Sequence, residues 1–589
     1  MSTVPSIVEQ PPIAQDSPAG STAYRHWLVV GCYLLGALIV TGRLWKDPAG
    51  RMQVGDTRDV SLFAWFLRYS ATAVSHGRLP ALFTTALNAP HGVNLMWNTA
   101  FLLPGILLTP VTLLAGPQVS LTIVLTVSFA GSATSLYFVL RRWGASGSGA
   151  ALGGAVYGFS PAMVNSGIGH YQLVFAVLPP LIIDAVLRIV TGRGKPVTTG
   201  AVLGLLTAAQ LLTGEEMLIY TAVASAVAVV VIALSRPRAV AGRARDTVLG
   251  AAIGIVLPLV ICGYPLWVQF HGPLRSHAIL SGSYSGDPAY YVDPSGHLLF
   301  HTRSSAALAA TYVLGLPEEL SYLGWPLIIV LIAAAILLWR NLSVRVAAVV
   351  CAVLELCNLD SGPVAIGRFR LSGSFLPYHW LQGLPTMAQV LPDRFCILGA
   401  GAAGAVLAFS LDRARSAASR RGTRLRGIPA TIAVLAVLPL IPLPYQAARV
   451  HAVPAGWQAA LGRLRLAPDA PVLVVPVPMG ANVDAMRWQA STGVPGSMNA
   501  GYFSGPGPSG EPVFSLGPPQ AVAEYLNYLW SGRLRVPRPA AAQFRDALAY
   551  WRPAAILAVT SEDSRLGRFL IGLLGRPAFR VGSVIAWRR

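Results

Sequence analysis

The chain has 589 residues, 54% hydrophobic and 12% charged, with a mean hydropathy of +0.57. A soluble protein of this length carries roughly twice that charged fraction, so a water-soluble globular fold is excluded. The formal net charge of +20 does not point to nucleic acid, because the basic residues fall mostly in short loops between apolar runs, where the positive-inside rule places them.

In chain order, residues 1–23 are rich in Pro, Ser, Gln and Ala and read as a disordered cytoplasmic tail, too polar for a signal peptide. Apolar runs of roughly 17–22 residues then recur, long enough to cross a ~30 Å hydrocarbon core. The candidate spans are 25–45, 118–140, 148–165, 172–190, 197–213, 217–234, 247–270, 321–339, 343–358, 391–411 and 428–444. Lysine is confined to Lys46 and Lys195, which points to a GC-rich genome. Cys32, Cys262, Cys351, Cys357 and Cys396 lie in or beside apolar runs without metal spacing and read as small buried apolar residues.

The run 99–115 is ambiguous, and charge parity arbitrates. Arg141-Arg142, the group Arg188, Arg193 and Lys195, the cluster Arg236 to Arg245, Arg340 with Arg345, and the arginines from Arg413 to Arg426 belong inside. If 99–115 does not span, all five groups fall inside. Pro104 and Pro110 also suit a re-entrant or juxtamembrane element better than a straight span. The expectation is eleven spans, with the N-terminus inside and the C-terminal domain outside.

The external face then collects nearly all the His and most of the carboxylates. Loop 46–117 holds Asp56, Asp59, His76, His91, Asn94, Trp97 and Asn98; a short loop holds His170; another holds Glu215 and Glu216. Loop 271–320 carries His271, His277, Asp287, Asp293, His297, His301, Glu318 and Glu319, and loop 359–390 carries Asp360, Arg368, Arg370 and His379, with Arg394 opening the next span. Residues 60–75 are apolar on one face at helical spacing and fit a helix lying in the membrane interface.

From Gln446 onward the apolar runs stop. Residues 471–478, 554–560 and 579–587 read as strands, with helices near 540–550 and 563–574, giving a small C-terminal α/β domain over 446–589. The glycine-rich stretch 486–506, with Trp488, Gln489, Asn499 and Tyr502, suits a sugar- or partner-binding loop and equally a long irregular surface loop.

Several stretches carry a resemblance. Gly55-Asp56-Thr57-Arg58-Asp59 follows the first span, and a long membrane-skimming segment precedes Arg141-Arg142. Tyr157-Gly-Phe-Ser-Pro161 forms a turn, and Pro392-Asp-Arg-Phe395 opens a late span. Together they resemble the GT-C class of glycosyltransferases. Pro90-His-Gly-Val-Asn-Leu-Met-Trp97 is similar to actinobacterial GT-C-like and YfhO-like membrane proteins. The resemblance covers about 25–445, so that 24–445 is expected to be a GT-C-like transmembrane domain.

The resemblance implies transfer of a sugar from a polyprenyl-phosphate donor to an external cell-envelope glycan, glycolipid or protein, with inversion at the anomeric carbon. An acceptor hydroxyl needs a base, for which the resemblance nominates Asp56, with Asp59 orienting it, holding the acceptor or sharing a metal. Arg394, with Arg368 or Arg370, would hold the lipid phosphate. Glu215, Glu216, His91, Asn94, His170 and His379 are acceptor-side or supporting candidates.

Other readings of the same residues stay open. Asp56 also suits a helix N-cap with Asp59 in the first turn. His297 and His301 suit a metal only on a helix, which Pro294 and Gly296 oppose. The first span is not followed by adjacent acidic residues, so a divalent metal is left open. A non-catalytic polytopic protein, either a lipid or glycan transporter or an envelope assembly factor, is the competing class. Charges within the spans are few and lie near their ends, Asp184 and Glu355 among them, and no P-loop is present, which favours the enzyme.

Overall fold

The computed structural model describes the chain except residues 1–18, 276–287, 313–318, 360–363, 367–368, 385–386, 388–389, 422–426, 481, 507–509, 511, 515–518 and 534. It is a mostly helical membrane protein. Among the described residues, five helices are long and apolar enough to cross a bilayer: Tyr24–Trp45, Pro117–Arg142, Glu215–Ser235, Ala244–His271 and Pro392–Arg420. The 21 residues of Glu215–Ser235 extend about 32 Å at the α-helical rise, enough for a hydrocarbon core. Pro196–Leu211, Trp325–Leu337 and Ile428–Leu440 are shorter apolar helices.

Two of the expected straight spans are broken. The run 148–165 forms the helices Gly147–Gly158 and Pro161–Ser166, because Ser160 caps the second by accepting from Met163 N and Pro161 cannot continue the first. The run 172–190 forms Tyr171–Val174 and Leu178–Thr191, the latter opening on Pro179 and Pro180. The run 99–115 forms only Leu102–Leu107 and Thr109–Ala115, each about 10 Å long.

The described residues divide into two compact units. The first draws on Met1–Trp45, Ile123–Cys262 and Leu280–Gln446, the second on Lys46–Thr122, Gly263–Ile279 and Ala447–Arg589. Within the first, Gly147–Gly158 packs closely on Cys396–Arg421. A Cβ on Gly153 would lie 2.6 Å from the Gly404 carbonyl oxygen, so glycine is what lets the two backbones approach.

The second unit holds a five-stranded sheet in the order Phe579–Val581, Val584–Arg588, Ala555–Val559, Pro471–Val475, Ser497–Met498. Ala555–Val559 runs parallel to Pro471–Val475 and antiparallel to Val584–Arg588. The single strand expected over 579–587 is a hairpin, turning at Gly582 with φ +57°. Leu473, Val475, Ile556 and Ile585 from the sheet form one apolar core with Phe544, Trp551, Leu566 and Leu570 from the helices Ala541–Trp551 and Arg565–Leu574.

The first-loop segment, Lys46–Thr122, is part of this second unit. Arg51–Gln53 pairs antiparallel with Ala447–Arg449. Asn88 N donates to Ala500 O at 2.8 Å, and Met498 N to Ala86 O at 3.1 Å. Thr57–Ser75, expected to lie in the membrane interface, buries Val60 through Leu67 on all sides. Trp65 is fully buried, its Nε1 donating to Gln489 Oε1 at 2.8 Å. The face expected to meet lipid is covered by protein.

Candidate functional site

In the first unit, residues from three distant stretches meet. Glu216 lies in the first turn of Glu215–Ser235, where a carboxylate complements the helix dipole. Arg394 lies in the short 3-10 helix Pro392–Phe395 that leads into Cys396–Arg421. Its Nη1 donates to Glu216 Oε2 at 2.7 Å, and its Nη2 lies 3.4 Å from His170 Nε2. A guanidinium only donates, so His170 accepts through Nε2 and carries its proton on Nδ1. His170 is itself held where its backbone N–H meets Ser166 O at 2.8 Å.

Tyr220, one helical turn beyond Glu216, completes the arrangement. Its hydroxyl lies 2.6 Å from Glu216 Oε1 and 2.9 Å from Leu391 O, so its single proton serves one of them at a time. The Tyr220 ring packs edge-on against Phe395 at 4.7 Å. Arg394 and His170 are each 8% exposed. A buried ion pair of this kind is costly to break from one side, by about 3–5 kcal/mol. The sequence reading missed Tyr220; its spacing of four residues from Glu216 was the available signal.

In the second unit, Asp56 is the N-cap of Thr57–Ser75. Its Oδ1 accepts from Arg58 N at 3.0 Å and Asp59 N at 3.3 Å. The Arg58 guanidinium grips both carboxylate oxygens, Nε to Oδ1 at 3.2 Å and Nη2 to Oδ2 at 3.1 Å. That hydrogen bond to Asp56 raises the Arg58 pKa. Tyr502 joins the group from the C-terminal segment: its hydroxyl bonds Asp59, and Arg58 lies over its ring at 5.6 Å. Burial first, then the Asp59 and Asp56 charges, push the Tyr502 hydroxyl well above its ordinary pKa.

The remaining candidates are spread out. His91 stacks on Tyr550 at 4.2 Å. Asn94 Nδ2 ties Val268 O at 3.0 Å and Pro273 O at 2.9 Å while its Oδ1 caps Met96 N, so it clamps chain segments together. The His379 ring meets Gln382 Nε2 at 3.1 Å. Arg368 lies outside the described residues, as do His277, Asp287, Glu318 and Asp360; Arg370 is in the strand Phe369–Leu371, its side chain not among those described. In the 486–506 stretch, Trp488, Gln489 and Asn499 are buried, and Asn499 Nδ2 ties Trp551 O at 2.7 Å. His297 and His301 do not lie on a helix. Among the described residues no three His, Cys, Asp or Glu side chains are grouped as metal ligands.

No protein-family model and no curated protein matches the chain. Among solved structures it is similar to the oligosaccharyltransferase AglB of Archaeoglobus fulgidus in complex with an inhibitory peptide and a dolichol-phosphate. The two share 11% identity, over 91% of this chain and 69% of that one, at a TM-score of 0.48. It is similar to ArnT from Cupriavidus metallidurans in the apo state, with 12% identity over 96% of this chain and 98% of that one, at a TM-score of 0.44. The form of ArnT bound to undecaprenyl phosphate gives 13% identity over 97% and 98%, at 0.36. Both proteins are of the GT-C class.

Proposed function

We propose that the chain is a membrane glycosyltransferase with eleven spans, its N-terminus cytoplasmic and its C-terminal domain extracytoplasmic. It transfers a sugar from a polyprenyl-phosphate donor to an external cell-envelope acceptor, with inversion. Asp56 takes the acceptor proton, Asp59 with Tyr502 positions the acceptor, and Arg394 holds the departing phosphate. The observation that carries the reading is the Arg394–Glu216–His170 arrangement, a buried guanidinium held at the ends of apolar helices by groups from separate stretches. A lipid phosphate leaving group needs such a preorganised cation to stabilise its developing charge, and the guanidinium fork matches phosphate oxygens.

In this mechanism the acceptor oxygen attacks the anomeric carbon as its proton passes to Asp56, and the glycosyl–phosphate bond breaks with its electron pair leaving on the lipid phosphate. Arg58 must yield its hold on the Asp56 carboxylate when the acceptor arrives. A metal shared by Asp56 and Asp59 would likewise have to displace that guanidinium. Glu216 and Tyr220 keep Arg394 oriented.

The test is reconstitution of the full chain with decaprenyl-phosphate sugars and envelope acceptors, with and without EDTA. Turnover that survives in the wild type and falls in Arg394→Lys supports the reading. No turnover with any donor or acceptor favours the competing class, a non-catalytic lipid or glycan transporter or assembly factor. Activity retained in EDTA removes the metal.

A further inference from the structure

The first unit contains a half-open apolar pocket of about 160 Å³. Small residues such as Ala228, Ala347 and Ala405 on three helices leave the space open. An apolar cavity of this kind does not hold ordered water, and in a bilayer the available apolar filler is a lipid chain.

One end of the cavity differs from the rest. Trp143, Asp184, Thr191 and Ser343 line it there. The buried Asp184 carboxylate is saturated by an ion pair with Arg142 and by Trp143 Nε1 at 2.8 Å. Arg188 reaches the same carboxylate only at 4.0 Å, and the Arg193 guanidinium lies 4.4 Å over the Trp143 ring. Arg243 covers Gly192, the neighbour of Thr191, where φ +68° admits glycine and any Cβ would collide with the guanidinium. Its Nη1 is buried without a hydrogen-bond partner. Arg142, Arg188 and Arg193 thus gather about Asp184 and Trp143 at this end, and Arg243 lies beside Gly192 next to Thr191, with Asp246 three residues further along.

We infer that this end binds the headgroup of an anionic phospholipid of the leaflet the arginines face, with an acyl chain entering the cavity. The charge complementarity commits the site to a headgroup of net negative charge rather than to a zwitterionic one. Arginine forks pair with phosphate oxygens, and basic clusters between membrane helices favour anionic headgroups. Arg394, Glu216 and His170 do not line the pocket, and the inference does not depend on the transferase reading.

The test titrates phosphatidylglycerol and phosphatidylcholine with identical acyl chains onto the delipidated full chain, counting bound lipid by native mass spectrometry. Phosphatidylglycerol should bind the wild type at least about fivefold more tightly, and Arg193→Gln and Arg243→Gln should each lose about fivefold for phosphatidylglycerol alone. Ala228→Phe, which fills the cavity, should weaken both lipids. Should that variant fail to fold, the two arginine variants still decide the matter. Equal binding of the two lipids, or an undiminished preference in both arginine variants, overturns the inference. So does one-for-one displacement of phosphatidylglycerol by decaprenyl phosphate, which would assign the cavity to a polyprenyl tail.

Discussion

Asp56 holds two separable jobs, capping a helix and carrying a charge beside Arg58. Asn caps about as well as Asp, whereas Ala does not. Asp56→Asn should therefore keep the helix, losing at most the modest energy of a partly exposed ion pair, yet lower turnover by about 10²–10⁴-fold if the carboxylate is the base. Asp56→Ala should lose about 1 kcal/mol more stability. Parallel melting curves and initial rates separate the two, and undiminished turnover in Asp56→Asn would remove the base assignment. Glu319 makes a second residue-scale case. Burial raises its carboxyl from the ordinary 4.5 to about 7. Between those values the unfolded chain releases the proton and the folded chain keeps it, so stability falls as pH rises. The contribution is present in full below about 4.5 and is lost, by on the order of 3 kcal/mol, as pH passes 7. Glu319→Gln should flatten that slope, read from midpoints at pH 5 and pH 8; an unchanged slope would place the effect elsewhere.

At the scale of elements, the contact between Gly147–Gly158 and Cys396–Arg421 is set by what glycine lacks. Gly153→Ala would thrust a Cβ at the Gly404 carbonyl and also at Leu140, 2.7 Å away. The helices must part, at about 1–3 kcal/mol, and a thermal midpoint unchanged by the substitution would show that the helices are not so close. The sequence made some elements legible and hid others. The long apolar runs at 25–45, 118–140, 217–234 and 247–270 each correspond to a helix, because hydrophobic length is a local property. The breaks at Phe159-Ser160 and Phe175 to Val177 were masked by apolar neighbours, even though Pro161 and Pro179-Pro180 marked them. Thr57–Ser75 read as amphipathic, but Trp65 meets Gln489 from far along the chain, a partner that no local period announces. Glu216 and Arg394 were legible as rare charges at span ends; their ion pair was not, since 178 residues separate them.

For the whole molecule, what the sequence concealed was connectivity. The second unit is assembled from three separated stretches, and its pairings, such as Arg51 opposite Arg449, leave no compositional trace. Orientation in the bilayer, by contrast, is encoded in composition, because basic loops resist translocation. That makes the status of 99–115 decisive. Between Arg78 and Arg238 lie five candidate spans if 99–115 does not cross and six if it does. Five put the two positions on opposite sides and six on the same side. Arg78 and Arg238 are both exposed, so Arg78→Cys and Arg238→Cys, each in a background with the five native cysteines replaced, can be probed with a membrane-impermeant maleimide. Arg78→Cys should label in intact cells, and Arg238→Cys only after permeabilisation. Ser561→Cys, exposed in the C-terminal segment, should label from outside while a cysteine at Ser6 does not, since an odd number of crossings separates the two ends. Equal labelling of Arg78→Cys and Arg238→Cys in intact cells would make 99–115 a crossing despite its two short helices. It would also carry the later arginine groups to the outer face against the charge rule, and the proposed outside placement of Asp56 would then have to be derived again.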